Sequence, residues 1–175
     1  DLFQCKICNL VQIKNEFNIK KMYGKHYGYE TSKSALMVKH LKEKILRFKK
    51  RGYLKSRNSV IDIGSNDGTF LNLIGKQYKR YGVDPSALKF KENYKNIKLI
   101  NSFFSKKNIT PKNSKFDLIS SFAIFYDVEN PNQFCQDIKD ILNPDGVWVC
   151  EISYLPLMLK NLTFDQICHE HLTYY

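Results

Sequence analysis

The side chains with the most chemistry are crowded into Phe164-Asp-Gln-Ile-Cys-His-Glu-His-Leu-Thr-Tyr-Tyr175. His169, Glu170 and His171 are consecutive, and two tyrosines follow closely. Imidazole, carboxylate and phenol together supply proton transfer and stabilise an oxygen that gains negative charge. A metal site is the rival reading. From a helix His169 and His171 would point to different sides, whereas from a strand or loop they could share an ion with a third ligand brought from elsewhere. The spacing is not that of H-E-x-x-H. Local capping and hydrogen bonding by the two histidines is the plainer alternative.

A second chemical centre is built on glycine. Asp62-Ile-Gly64-Ser-Asn-Asp-Gly68 stands where the β-branched run Ser59-Val-Ile-Asp-Ile63 gives way to a helical pattern. Gly64 lets the chain turn off the strand, and Gly68 permits close backbone approach by a ligand. Open α/β sheets bind ligands at such turns. The spacing differs from G-x-G-x-x-G, and a pyrophosphate wants bare N–H groups and a positive helix end. Asp62 and Asp67 would repel it. An acidic loop suits a positively charged ligand, and S-adenosyl-L-methionine carries a sulfonium and an ammonium. Asp84 ends the next strand and is placed to accept both hydroxyls of a ribose.

Cys5 and Cys8 have the C-x2-C spacing of half a zinc site, and a structural site needs four ligands. The sequence offers no second such pair, so zinc is expected only with ligands from further upstream. Five cysteines are an odd count, which argues against a disulfide framework. Cys150 lies in an apolar run and reads as a buried thiol.

These residues need elements to hold them. Strand and helix patterns alternate from about residue 59, which predicts a mostly parallel sheet with flanking helices. The strands are expected at 59–63, 81–83, 97–100, 116–120 and 147–152. Helices are expected from Thr69 to Tyr78, after a Ser86 cap, and from Pro131 with Phe134, Ile138, Ile141 and Leu142 on one face. An earlier helix, capped by Thr31 or Ser32, presents Met37, Val38, Leu41, Ile45 and Phe48. Asn143-Pro-Asp-Gly146 is a turn signal.

The chain has 175 residues and a net charge of +11. Its lysines are spread along the whole length without a basic-aromatic recognition motif, so a solvated surface is favoured over a nucleic-acid partner. No apolar run is long enough to span a membrane, and no signal peptide opens the chain; the cytoplasm is the expected location. The chain starts at Asp1 and stops directly after the His-Glu-His motif, and is expected to be a piece of a longer protein, cut at both ends.

Val60 to Asp84 resembles the class I methyltransferase fold, a Rossmann-like α/β architecture of usually seven strands; with five here, the sheet is expected to be incomplete. Ile63-Gly-Ser-Asn-Asp-Gly-Thr-Phe-Leu71, Cys168-His-Glu-His-Leu-Thr-Tyr-Tyr175 and Cys5-Lys-Ile-Cys8-Asn-Leu-Val-Gln12 resemble motifs of the sugar C-methyltransferase family, and Tyr27-Gly-Tyr-Glu-Thr-Ser32 is similar to its linker tyrosine motif. The resemblance implies that residues 1–30 belong to a zinc-binding module and linker, and residues 31–175 to the cofactor-binding domain. It would give Asp62, Gly64, Asn66, Asp67 and Gly68 to the methionine end of the cofactor, Asp84 to the ribose, Ser102 and Phe103 to the border of the adenine, and Ser121 and Phe122 to the passage of the methionine portion. It implies C-methylation next to the ketone of a nucleotide-linked deoxysugar, a small-molecule substrate, with His171 as base. Glu170 would hold the substrate or polarise the imidazole, Tyr29 would steady the sugar or enolate oxygen, and His169 would support the turn. Two departures are visible: Cys168 and the Phe125-Tyr-Asp-Val128 segment stand where some members carry tyrosine and histidine. O-methylation of a saccharide precursor, or a cofactor-binding fragment without turnover, are the alternatives.

Overall fold

The computed structural model describes residues 1–14, 18–24 and 26–175. Two short strands, β1 (Leu2–Gln4) and β2 (Val11–Ile13), precede a single helical turn, α1 (Ile19–Met22). The main unit then runs α2 (Ala35–Lys50), β3 (Ser59–Ile63), α3 (Thr69–Ile74), β4 (Lys79–Val83), β5 (Lys98–Ile100), β6 (Phe116–Phe122), α4 (Pro131–Ile141) and β7 (Leu142–Glu151). The chain closes with α5 (Leu155–Asn161) and β8 (Thr173–Tyr174).

The five central strands are all parallel, in the order β5-β4-β3-β6-β7. A strand buried on both faces reads as an apolar run rather than an alternation, as in the buried pairs Val60-Ile61 of β3 and Leu118-Ile119 of β6. The two-residue period still divides their side chains. Val60 and Leu118 pack beneath α2 and α3 with Leu41, Ile45, Phe48, Phe70 and Leu71. Ile61, Ile63 and Ile119 pack beneath α4 with Phe134, Ile138 and Ile141. Each wholly enclosed aliphatic side chain contributes roughly 1.5–3 kcal/mol. The chain leaves β3 toward β4 and β5 and returns on the other side as β6 and β7. The strand order therefore reverses between β3 and β6, and a crevice opens beyond their carboxyl ends.

A second, antiparallel sheet of order β1-β2-β8 ties the beginning of the chain to its end. Val11 faces Tyr174 and Gln12 faces Thr173, and the Ile13 N–H donates to the Leu172 carbonyl at 3.0 Å. Strand pairing thus crosses the boundary expected near residue 30.

Several local expectations are corrected. The α2 cap is Ser34, whose hydroxyl accepts the Met37 N–H at 3.2 Å, because Thr31 and Ser32 are engaged elsewhere, as described below. The expected helix after Ser86 is a pair of 3-10 turns over Ala87–Tyr94, broken at Phe90; the Ser86 hydroxyl donates to Asp84 instead of capping. The helix expected to reach Tyr78 ends at Ile74, before Gly75 at φ 104°. The Asn143–Gly146 turn falls inside β7, where the register against β6 shifts between Phe116 and Leu118. Cys150 is exposed rather than buried, because β7 lies at the sheet edge with β6 as its one partner among the described residues.

Candidate active site

The loop after β3 is shaped by backbone that most side chains would obstruct. Gly64 has φ +75°, and a Cβ there would lie 2.3 Å from the Ile124 side chain. Gly68, at φ +77°, lies under the Tyr94 ring. The close approach expected of a ligand at Gly68 is made by this tyrosine, whose hydroxyl donates to the Asn66 carbonyl at 2.8 Å.

Thr31 and Ser32 hold the same loop from outside. The Thr31 N–H and hydroxyl both donate to Asn66 Oδ1, at 3.0 and 3.2 Å, and the Ser32 N–H donates to Asp67 Oδ2 at 2.8 Å. Asp67 Oδ1 accepts from the Thr69 N–H and hydroxyl. Burial acts to raise the Asp67 pKa, but the hydrogen bonds from Thr69 and Ser32 outweigh it and hold the carboxyl below its usual range. Asp67 is consumed as a fastener of the loop.

Asp84 is buried and bonded on both oxygens, accepting the Asn66 N–H at 2.9 Å and the Ser86 N–H and hydroxyl at 2.7 Å each. A carboxylate has about four lone-pair sites, so acceptor capacity is left for ligand hydroxyls. Asp62 is buried between the central strands, where the Ser120 hydroxyl donates to it at 2.6 Å. Burial pushes its pKa up to about 7; the Ser120 bond opposes this, and the negative charge of Asp84 adds to it.

A cavity of about 550 Å³ runs from this loop across the carboxyl ends of the strands. Of the sequence candidates it gathers Asp62, Gly64, Asn66, Asp84, Ser102, Phe103, Phe122, Tyr29, Glu170 and His171. Asp67, Gly68, Ser121 and His169 do not line it. Ser121 is buried and accepts the Trp148 indole N–H at 2.9 Å, and His169 is exposed. Asn101 turns away to accept the Leu88 N–H. Seven acidic residues line the cavity, Asp62, Asp84, Asp127, Glu129, Asp137, Glu151 and Glu170, with no lysine or arginine among the described residues. A chain of net charge +11 has placed its acid here, and a cationic ligand fits such a wall while a phosphate does not.

Elsewhere on the cavity wall, the His171 Nδ1 lies 2.7 Å from the Gln166 carbonyl. A carbonyl oxygen only accepts, so Nδ1 carries the hydrogen and the neutral ring keeps its lone pair on Nε2. The ring packs on Tyr126, centroid to centroid 4.1 Å. The Tyr126 carbonyl accepts the Leu172 N–H at 2.8 Å and the Thr173 hydroxyl at 3.3 Å, which fixes the motif against the end of β6.

Sequence reasoning missed Tyr23, Tyr27, Tyr126 and Asp127, all on the cavity wall. The Tyr23 hydroxyl donates to Asp127 Oδ2 at 3.0 Å. Burial pushes the Asp127 carboxyl up to about 8; the Tyr23 bond opposes this and Glu170 adds to it. Burial, then Glu170 and Asp127, push the Tyr27 phenol up to about 12. The signal available was the aromatic density of Tyr23 to Tyr29 and an acid just past a strand end. Tyr29 itself is exposed at the rim, its carbonyl accepting from the Asn66 side-chain amide. Glu151 is paired with His40 at 2.9 Å and with Lys44.

The Cys5–Cys8 turn joins β1 to β2. Hydrogen bonds from the backbone of Cys8 and Ile7 lower the Cys5 pKa, which favours the thiolate form that binds metal. Among the described residues no group of three or more His, Cys, Asp or Glu is arranged around a common metal position. No helix among them is long and apolar enough to cross a membrane.

A family profile described as "Methyltransferase domain" matches residues 36–175. The C-methyltransferase NovU of Streptomyces niveus is 27% identical over 180 residues, covering all of this chain and 43% of that protein. The plantazolicin methyltransferase BpumL, solved with a triazolic desmethyl analogue and S-adenosylhomocysteine (SAH), superposes with TM-score 0.61 at 18% identity, over 79% of this chain and 56% of that one. The YcgJ protein of Bacillus subtilis superposes with TM-score 0.57 at 15% identity, over 75% of this chain and 62% of that one. At these identities the structural likeness is one of fold, and the chain spans under half the length of the NovU relative.

Proposed function

This chain belongs to the methyltransferase-domain family, and from that premise we propose that it serves S-adenosylmethionine-dependent methylation of carbon next to the ketone of a nucleotide-linked deoxysugar. The observation that carries this reading is one acid-lined cavity that holds both Asp62 and Asp84 and a histidine whose Nδ1 is bonded to a carbonyl, which leaves Nε2 as the basic nitrogen. The NovU likeness supports carbon as the acceptor.

Asp84 would hold the ribose hydroxyls, with Ser102 and Phe103 bordering the base. Asp62 and the Gly64 turn would face the methionine end, where an ionised Asp62 offsets positive charge. S-adenosylmethionine, when bound, supplies an electrophilic methyl group on sulfonium sulfur. His171 Nε2 takes the proton from the carbon beside the carbonyl and leaves that C–H electron pair free to form the new carbon–carbon bond. Charge passes meanwhile to the ketone oxygen. The Nδ1–Gln166 bond keeps the ring in the tautomer this needs. Glu170 holds the sugar or stabilises the imidazolium, and Tyr29 at the rim meets the sugar as it enters. The acidic wall rejects a diphosphate, so the nucleotide stays outside the cavity, and nucleic acid is not the substrate. The β1–β2 hairpin with Cys5 and Cys8 would be one half of a zinc module, and β2 braces the His-Glu-His segment through β8.

The reading is tested by incubating the full-length protein with a nucleotide-linked 4-keto-6-deoxyhexose in deuterated water without cofactor. Deuterium entering beside the ketone supports C-methylation. No exchange, with methyl transfer to a hydroxyl once S-adenosylmethionine is added, would replace it by O-methylation.

A further inference from the structure

Asp127 stands in the turn that follows β6 and lines the cavity. Its two oxygens are treated differently. Oδ2 accepts the Tyr23 hydroxyl at 3.0 Å, whereas Oδ1 is buried and finds no hydrogen-bond partner among the described residues. A buried carboxylate oxygen left unpaired is costly, and Asp127, which carries it, lines the cavity, where a group that enters can supply the missing partner. The groups facing it are Tyr23, Tyr27 and Glu170, with Tyr126 and Tyr174 close enough to be affected by its charge. None of these is a cation, and no lysine or arginine lines the cavity among the described residues. The Tyr23 hydrogen bond favours a negative Asp127, but burial outweighs it and Glu170 opposes the charge as well.

A proton on this carboxyl belongs on Oδ1, because Oδ2 is already accepting. We propose that Asp127 touches the substrate and donates a hydrogen bond from Oδ1 to the oxygen that becomes negative when His171 removes the neighbouring proton. The proposal rests on the C-methylation reading above. The proton stays on Asp127 and no bond to it is broken; the hydrogen bond strengthens as charge reaches the oxygen, which is when such a donor accelerates a reaction. The carboxyl pushed up to about 8 is consistent with this state at neutral pH. His171 and Asp127 meet on one cavity because the Tyr126 carbonyl, one residue before Asp127, is bonded to Leu172, one residue after His171.

Two measurements on the full-length protein test it. The first is isotope-edited infrared of the SAH-bound protein, with Asp127→Asn as the subtraction. A protonated carboxyl band at neutral pH that disappears as pH rises through about 8 is expected; an ionised Asp127 at neutral pH overturns the proposal. The second is deuterium exchange into the same keto sugar. Asp127→Ala should slow exchange by about 10²–10³-fold, the usual loss for one donor to a developing oxyanion. Asp127→Asn, which keeps a neutral N–H donor, should retain most of the rate. Equal loss in both variants, with SAH binding intact to show that each is folded, means that the ionised carboxylate is required, and the proposal fails while C-methylation stands. If the wild-type protein exchanges nothing, C-methylation itself fails and the role of Asp127 falls with it.

Discussion

Two parts of the cavity wall, one around Asp84 and one around His171, are built by opposite rules. The part around Asp84 is centred on the β3 turn and β4, with Ser32 and Ser120 reaching in, and its acids are bonded in the ligand-free fold: Asp84 has three donors and Asp67 three. The part that holds His171 is assembled from Tyr23 and Tyr27, from Tyr126 and Asp127, and from Glu170 and His171, three segments well separated in the sequence. It contains an unpartnered Asp127 oxygen and phenols pushed above their usual range. A region whose acids are already bonded before a ligand arrives is ready to bind something invariant. A region that keeps unsatisfied groups is ready for the chemistry, since perturbed acids cluster where they are used.

Breaking this contrast should separate binding from turnover. The largest effect is expected at His171. His171→Asn should lower methyl transfer by about 10²–10⁴-fold, the worth of a positioned general base, while calorimetry finds SAH affinity unchanged. A parallel loss of SAH affinity would show that the two parts are not independent. Next comes Asp84→Ala, which should weaken S-adenosylmethionine binding by about 1.5–3 kcal/mol; unchanged affinity would remove Asp84 from the site.

Asp62 sharpens the comparison through pH. Its carboxyl rises from an ordinary value of 3.8 to about 7 on burial in the ligand-free fold, and a cationic ligand favours the ionised form. Affinity for S-adenosylmethionine should therefore rise with pH up to about 7, by at most about tenfold per pH unit, and level off above. Asp62→Asn should give a flat profile, and a wild-type profile as flat would exclude Asp62 from the cation's surroundings. For the ligand-free fold the sign is reversed. A raised carboxyl holds its proton more tightly when folded, so the contribution of Asp62 to stability is fully present below about 4 and is lost as pH rises toward about 7. Denaturant midpoints of the wild type and Asp62→Asn across that window measure it. The smallest effect belongs outside both parts: Ser34→Ala removes the α2 cap and should cost about 0.5–2 kcal/mol of stability with no change in SAH affinity.

What the sequence determined alone was whatever has a short range. The β3–Gly64–Gly68 turn, the acid at the end of β4, the parallel α/β architecture and the amphipathic faces of α2 and α4 follow from residue spacing, because strand and helix periods and glycine's freedom at positive φ are local properties. The His-Glu-His element was likewise visible as a local excess of reactive groups. Tertiary structure decided the rest. Thr31 and Ser32 look like helix caps until the fold brings Asn66 and Asp67 within reach of their N–H groups. Tyr29 is no more conspicuous in the sequence than Tyr23, yet Tyr23 reaches a buried carboxylate while Tyr29 stays exposed. Asp127 looks like any loop acid until the strand order carries it over the cavity and burial removes the water that would keep it ionised. Hydrogen-bond partners, burial and the pKa values that follow depend on which distant segments share a space, and only the closed fold specifies that.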